Sequence, residues 1–216
     1  MAEAFRLHLM RGLEEELRLS HFSRIAGVDE VGRGCLAGPV VAAAVIVDPD
    51  RLVPGVEDSK KIGADERERI AAAVRSASLA CEVAAVSADA IDRTNILRAT
   101  REAMTTALRS LRPAPDCAIV DAVRLDGLAF PTLPVVRGDA LSYAVACASI
   151  VAKVERDRMM RSWDRAYPQY GFARHKGYAA REHRLALAAY GPTPIHRLSF
   201  RSVVPRVGEP AGGEAA

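Results

Sequence analysis

Residues 27–47 read GVDEVGRGCLAGPVVAAAVIV, and this order of residue types narrows the possible folds more than any other stretch of the chain. Asp29 and Glu30 interrupt an apolar run, glycines follow, and a second apolar run begins after Gly38-Pro39. Pro39 has no N–H and disfavours helical backbone at Gly38, while Val41, Val45, Ile46 and Val47 favour extended structure. The unit therefore reads as strand, tight turn, strand. Gly32, Gly34 and Ala37 also satisfy the spacing of a dinucleotide-binding loop, which would make the chain a nicotinamide-dependent oxidoreductase. That loop needs a helix opening directly after the glycines to hold the phosphates at its N-terminus, and none is expected here. Two adjacent carboxylates would in addition repel a phosphate unless a cation lay between them. A plain hairpin with strand-end charges is the remaining reading of the stretch alone.

The rest of the chain supplies the context. At 216 residues, half of them apolar, one substantial domain with a full core is expected. The spacing of Phe5, Leu9, Leu13 and Leu17 predicts a helix over 3–19. Strands are expected at 24–31 and 40–47, a helix at 64–77, a strand at 81–87, and helical structure over 89–111 broken near Thr94 and Asn95. An apolar strand at 117–123 contains Asp121, a further strand covers 133–138, and a long helix runs from about Ser142 to Ala166. Strands first and strands alternating with helices later predict an α/β fold, a mixed sheet flanked by helices with a helical C-terminal region. One domain is expected over 1–205, its basic helical part starting near 165, with 206–216 a disordered tail.

No apolar run reaches the length of a membrane span, and the N-terminus is charged where a signal peptide would be apolar, so a cytoplasmic protein without membrane contact is expected. Cys35, Cys81, Cys117 and Cys147 show no metal-binding or redox spacing and read as reduced thiols. Charge is unevenly spread. Between Lys153 and Arg206 there are 12 basic and 4 acidic residues, interleaved with Trp163, Tyr167, Tyr170, Phe172 and Tyr178. This pattern suits a nucleic-acid backbone, although a solvated helical face gives the same run of charge.

Four carboxylates stand out. Asp29 and Glu30 are adjacent on a strand and point to opposite faces unless the strand ends or bulges. Asp121 closes an apolar strand, where it is either a sheet-edge ligand or a turn former. Asp157 lies on the long helix with Lys153 and Arg161 four residues away on either side, the spacing of surface ion pairs, but the apolar YAVACASIVA upstream packs that helix on the sheet. Acids from two strands and one helix can hold hard divalent cations through oxygen. Two such ions about 4 Å apart can activate water and stabilise the leaving oxygen of a phosphodiester.

Beyond these residues, the chain resembles the ribonuclease HII family, the type 2 ribonucleases H. The resemblance rests on DEVGRGCLAGPV at 29–40, DSKK at 58–61, GDA at 138–140, ASIVAKVERDRMM at 148–160, YPQYGFARHKGY at 167–178 and GPTPIHRLSF at 191–200. It implies an RNase H-like fold, with Asp29, Glu30, Asp121 and Asp157 as catalytic acids that hold Mg²⁺ or Mn²⁺. It further implies that Gly32, Arg33 and Gly34 read the ribose 2′-hydroxyl and that Tyr178 packs on the sugar at the RNA–DNA junction. Lys60, Arg174, His175 and Lys176 are expected as further substrate contacts, His175 and Lys176 touching phosphate. The implied partners are RNA/DNA hybrids and duplex DNA carrying single ribonucleotides, cut to 3′-hydroxyl and 5′-phosphate ends by a monomer; a hybrid-binding protein without turnover is the alternative. VDAVRL departs from the family's usual Asp-Gly-Asn, which leaves Asp126 as the substitute should Asp121 be misplaced. Asp139 reads as a supporting acid or as the N-cap of the long helix, and His196 as structural.

Overall fold

In the computed structural model, which describes residues 2–57, 59 and 61–203, the stretch carrying Asp29 and Glu30 becomes the middle strand of a five-stranded sheet. β1 (Ile25–Val31) pairs antiparallel with β2 (Val40–Ile46), which pairs antiparallel with β3 (Ala80–Val86). On its other side β1 runs parallel to β4 (Cys117–Asp121), and β4 parallel to β5 (Thr132–Val135), giving the order β3-β2-β1-β4-β5. The sheet is mixed, as the sequence predicts. Lys60 and the 206–216 tail lie outside the described residues.

The helices follow the expected order with local differences. The expected helix over 3–19 is two helices, α1 (Ala2–Met10) and α2 (Gly12–Leu19), separated where Arg11 leaves helical geometry and a glycine follows. α3 (Ala64–Ala77) matches its prediction. The break near Thr94 is real: α4 (Ala88–Arg93) is capped by Ser87, and α5 (Ile96–Ser110) by Asn95, whose side chain accepts the Arg98 N–H at 2.9 Å. A short α6 (Gly138–Leu141) precedes the long α7 (Tyr143–Ala166), and Ser142 caps α7. Asp139 is therefore not the N-cap of the long helix. The C-terminal region contains a single 3₁₀ turn (Pro168–Tyr170), α8 (Phe172–His175) and α9 (Arg181–Tyr190).

Layering follows from the alternation of β1 and β2. Ala43 and Val45 face a cluster built with α3 and α7, whereas Ala26, Val28, Ala42 and Ala44 face one built with α5. β1 meets α7 backbone to backbone. A Cβ placed on Gly27 would stand 2.1 Å from the Ala144 carbonyl carbon and 2.3 Å from the Val145 nitrogen, so only glycine lets the α7 backbone lie directly on the strand.

The expected tight turn after β1 is in fact an eight-residue loop, 32–39, because it packs against the C-terminal region instead of simply reversing the chain. Ala37 bridges to His196, Leu36 N–H donates to the Gly177 carbonyl at 2.8 Å, and Gly38 N–H donates to the Ile195 carbonyl at 2.8 Å. Leu36, Ala37, Met160, Tyr170 and Phe172 join residues of α9 in a separate apolar cluster beneath the loop. Tyr170 and Phe172, read from the sequence as part of a basic aromatic surface, are thus core. Gly27→Ala is expected to lower stability by about 3 kcal/mol, the upper end for overpacking, measured by denaturant unfolding; a wild-type midpoint would mean that α7 can lift from β1 freely.

Candidate active site

At the carboxyl ends of β1 and β4 lies a cleft of about 280 Å³, walled by Asp29, Glu30, the glycine loop, Asp121, Ser149, Lys153 and Tyr178. Asp29, Glu30 and Asp121 each offer a carboxylate oxygen, and these oxygens lie within 4.8 Å of one another. β1 and β4 are parallel neighbours, with Val28 opposite Val120, so Asp29 and Asp121 arrive side by side. Asp29 faces α7 and is buried; its Oδ1 accepts the Glu30 N–H at 2.7 Å. Glu30 belongs to the opposite face, but it is the penultimate residue of β1, and its longer side chain still reaches the group. Asp121 is the last residue of β4 and accepts the Gly138 N–H at 2.7 Å, which ties it to the start of α6.

Burial raises the Asp29 carboxyl well above the usual range, and the charges of Glu30 and Asp121 push it further, against a hydrogen bond from Ser149. Glu30 is also raised, by burial first; Arg33, at 3.2 Å, works in the opposite direction. Glu30 Oε2 is buried with no hydrogen-bond partner among the described residues. Three carboxylates held close, one with an orphaned oxygen, are a donor set suited to a hard divalent cation.

The fourth predicted acid is not part of that group. Asp157 is buried on α7, two turns beyond Ser149 and one beyond Lys153, whose Nζ donates to its Oδ1 at 2.6 Å, while Arg67 Nη1 stands 3.8 Å from its Oδ2. The expected Lys153 pair exists but lies at the cleft wall, and the other expected partner, Arg161, pairs instead with Glu68 at 2.6 Å. Asp139 lines the cleft, and Asp126 is exposed and pairs with Arg124.

The substrate contacts expected from sequence divide. Gly34 is exposed, and a Cβ there would meet nothing within 4 Å, whereas Gly32 is buried at φ +94° against Arg156. Arg33 is exposed, as is Arg174. Tyr178 is 44% exposed and forms part of the cleft, so it is not a core residue at a helix start. His175 uses both ring nitrogens internally, Nε2 with the Tyr170 carbonyl at 2.7 Å and Nδ1 accepting the Gly177 N–H at 3.2 Å, and Lys176 donates its amine to the Ala173 carbonyl. Both His175 ring nitrogens are thus engaged inside the protein, whereas the Lys176 ammonium spends one of its three N–H donors on this bond. His196 is structural, as expected: its Nδ1 accepts the Thr193 N–H at 2.9 Å, so its Nε2–H donates to His183 Nε2, also at 2.9 Å.

Sequence reasoning missed Ser149, whose hydroxyl supports Asp29, and the buried arginines Arg156 and Arg197. For Ser149 a signal existed in its spacing four residues before Lys153 and eight before Asp157, which sets one helical face. The cysteines are all free thiols, and Cys35, Cys117 and Cys147 are buried.

The mixed sheet flanked by helices matches ribonucleases H among solved structures. The ribonuclease H2 of Pyrococcus horikoshii superposes with a TM-score of 0.72 at 27% identity, over 84% of this chain and 95% of that one. Ribonuclease HII of Archaeoglobus fulgidus, solved in complex with PCNA, gives a TM-score of 0.70 at 30% identity over 83% and 95%. In sequence, ribonuclease HII of Ruminiclostridium cellulolyticum is 46% identical over 198 residues, 92% of this chain and 78% of that one, and that of Solibacter usitatus 50% identical over 191 residues, 88% and 83%. The ribonuclease HII family model matches residues 26–203. The chain belongs to the ribonuclease HII family and is a metal-dependent endoribonuclease.

Because an acid with a raised native pKa binds more protons folded than unfolded, its burial costs stability above the unfolded pKa of about 4, and the cost shrinks as pH falls toward that value. Asp29→Asn is therefore expected to melt a few degrees above the metal-free wild type at pH 8, at about 2–4 °C per kcal/mol. The gap should close toward pH 4. Calorimetry across that range checks it; a variant less stable than wild type at pH 8 would contradict the stated electrostatics.

Proposed function

We propose that the protein hydrolyses the RNA strand of RNA/DNA hybrids and also cuts at single ribonucleotides embedded in duplex DNA, with Mg²⁺ or Mn²⁺, leaving 3′-hydroxyl and 5′-phosphate ends. The observation that carries this reading is the convergence of Asp29, Glu30 and Asp121 beside an open glycine at position 34 and a half-exposed tyrosine at 178. In this reading the three carboxylates hold the cations, with Asp157 as a fourth acid on the α7 face that also carries Ser149 and Lys153. With a pair of divalent cations bound, the chemistry supplied is activation of water and stabilisation of the leaving 3′-oxygen.

The chain's own groups do the rest. Burial and mutual repulsion raise the Asp29 and Glu30 carboxyls, and Glu30 Oε2 is buried with no partner among the described residues, which makes cation binding favourable where an exposed cluster would bind weakly. Gly34 leaves space for a sugar-phosphate backbone to approach within contact of the main chain. A hydrogen bond to the 2′-hydroxyl at that point separates RNA from DNA. Tyr178 offers its ring face to a sugar lacking that hydroxyl, Arg33 is the exposed cation of the cleft wall, and Arg174 is a further exposed cation of the C-terminal region proposed to meet phosphate.

Incubation with a duplex containing one ribonucleotide, with Mg²⁺ and with chelator, tests the reading; binding without cleavage in Mg²⁺ would favour a non-cleaving hybrid binder. Asp121→Asn and Asp157→Asn are each expected to cut turnover by orders of magnitude with unchanged far-UV circular dichroism. Wild-type turnover in Asp157→Asn would remove it from the site.

Gly34→Ala adds a methyl where the protein has open space, so its stability should stay within about 0.5 kcal/mol of wild type while KM for the ribonucleotide duplex rises about tenfold. Tyr178→Ala should lose about 1–3 kcal/mol of transition-state binding on single-ribonucleotide duplex, and less on continuous hybrid. Steady-state kinetics on both substrates, alongside melting curves, check the pair; equal losses accompanied by destabilisation would place Tyr178 in the framework.

A further inference from the structure

Arg197 lies in the GPTPIHRLSF segment, to which the proposed chemistry gives no task, and it is completely buried. Among the described residues no carboxylate comes within ion-pair distance of it. Its guanidinium is satisfied by carbonyl oxygens alone. Nη2 donates to Gly32 O at 2.7 Å and to Gly38 O at 2.9 Å, Nη1 to Arg33 O at 2.8 Å, and Nε to Gly38 O at 3.0 Å. The Phe200 ring packs 5.1 Å from its Cζ. Burial brings its pKa down to about 10, so the cation persists at neutral pH.

In a trans peptide the C=O and the following N–H point in opposite directions. With the carbonyls of Gly32 and Arg33 drawn inward to one guanidinium, the N–H groups of Arg33 and Gly34 are turned outward. Neither N–H is used in a hydrogen bond among the described residues. They sit where the loop forms the cleft wall, next to Glu30 and the open face of Gly34. The far end of the loop has its own anchor: Arg156, equally buried, donates to the carbonyls of Pro39 and Ala37 and, across to the Tyr178 segment, of Lys176. Arg197 also reaches that end through Gly38 O, and it is the arginine that holds the tip, through Gly32 O and Arg33 O.

We propose that Arg197 is a positioning residue for ribonucleotide recognition, holding two adjacent peptide planes so that their N–H groups face the 2′-hydroxyl. The proposal rests on the reading that the glycine loop meets that hydroxyl. A lysine cannot replace it, because one ammonium lacks the planar fork that reaches carbonyls of three residues together.

The test compares KM for a duplex with one ribonucleotide against Ki for the same duplex made wholly of DNA, used as competitor in Mg²⁺. Wild type should show KM well below Ki. In Arg197→Lys, KM should rise toward Ki by about tenfold, the scale of one or two misdirected hydrogen bonds, while Ki, which reports phosphate contacts, stays fixed. Asp92→Ala is the milder companion. Asp92 accepts the N–H groups of Leu198 and Ser199 at 2.7 and 3.0 Å, so its loss loosens the segment presenting Arg197 without unburying a charge; a smaller rise in KM at constant Ki is expected. A KM/Ki ratio unchanged from a discriminating wild type, in Arg197→Lys if it folds and in Asp92→Ala otherwise, would overturn the proposal alone. Equal KM and Ki in the wild type would overturn it together with the reading of the loop.

Discussion

The contact between α7 and β1 at Gly27 is the constraint on which the rest of the site depends. Backbone lies on backbone there, at a distance no side chain allows. The residues of α7 that follow, Ala146 to Ala152, are small or β-branched and keep the helix close along the strand. Two residues along β1 on the same face comes Asp29; along α7, on the side turned to the cleft, come Ser149 and Lys153. A helix held farther out would bring water between Asp29 and Ser149, and with water the burial that raises the Asp29 carboxyl would disappear. The fold thus sets the electrostatics of the acids by fixing one interlayer distance.

The start of α7 is secured with comparable care from a remote part of the chain. Glu14 of α2 is buried, and its Oε1 accepts the Ser142 hydroxyl at 2.6 Å and the Ala144 N–H at 2.8 Å. A carboxylate at a helix N-terminus complements the unpaired N–H groups there, although burial raises its pKa. The anchor acts at Ala144, the residue opposite Gly27. The N-terminal helices therefore belong to the same mechanical unit as the acidic cluster, despite lying far from it in sequence.

Much of this was legible in the sequence, because it follows from local periodicity: the five strands, the break between α4 and α5 at a capping Asn95, and Asp121 at the end of an apolar run. The three converging carboxylates were legible for the same reason, as acids that terminate buried strands. What sequence could not show is where a charge is buried without a counter-charge. Arg156 and Arg197 each sit in a run of basic residues and read as surface cations facing nucleic acid, yet both are completely buried and bind carbonyls. Nothing in a one-dimensional pattern separates a guanidinium that meets phosphate from one that meets a loop's backbone. The eight-residue loop escaped for a related reason, since its partners come from residues 177 and 195–197.

Those two buried arginines also explain why the glycines occur where they do. A loop whose carbonyls converge on internal cations must turn sharply, and Gly32 and Gly38 do so at φ +94° and +84°, conformations that favour glycine. A Cβ on Gly32 would in addition stand 2.2 Å from Arg156 Nε, and one on Gly38 2.5 Å from Met160 Sδ. Gly34 differs from both, with no positive φ and no neighbour for a Cβ to strike. Its side-chain space is left empty by nothing in the protein's own packing. Within one short motif, then, the fold accounts for two glycines and not for the third, and packing alone separates Gly34 from Gly32 and Gly38.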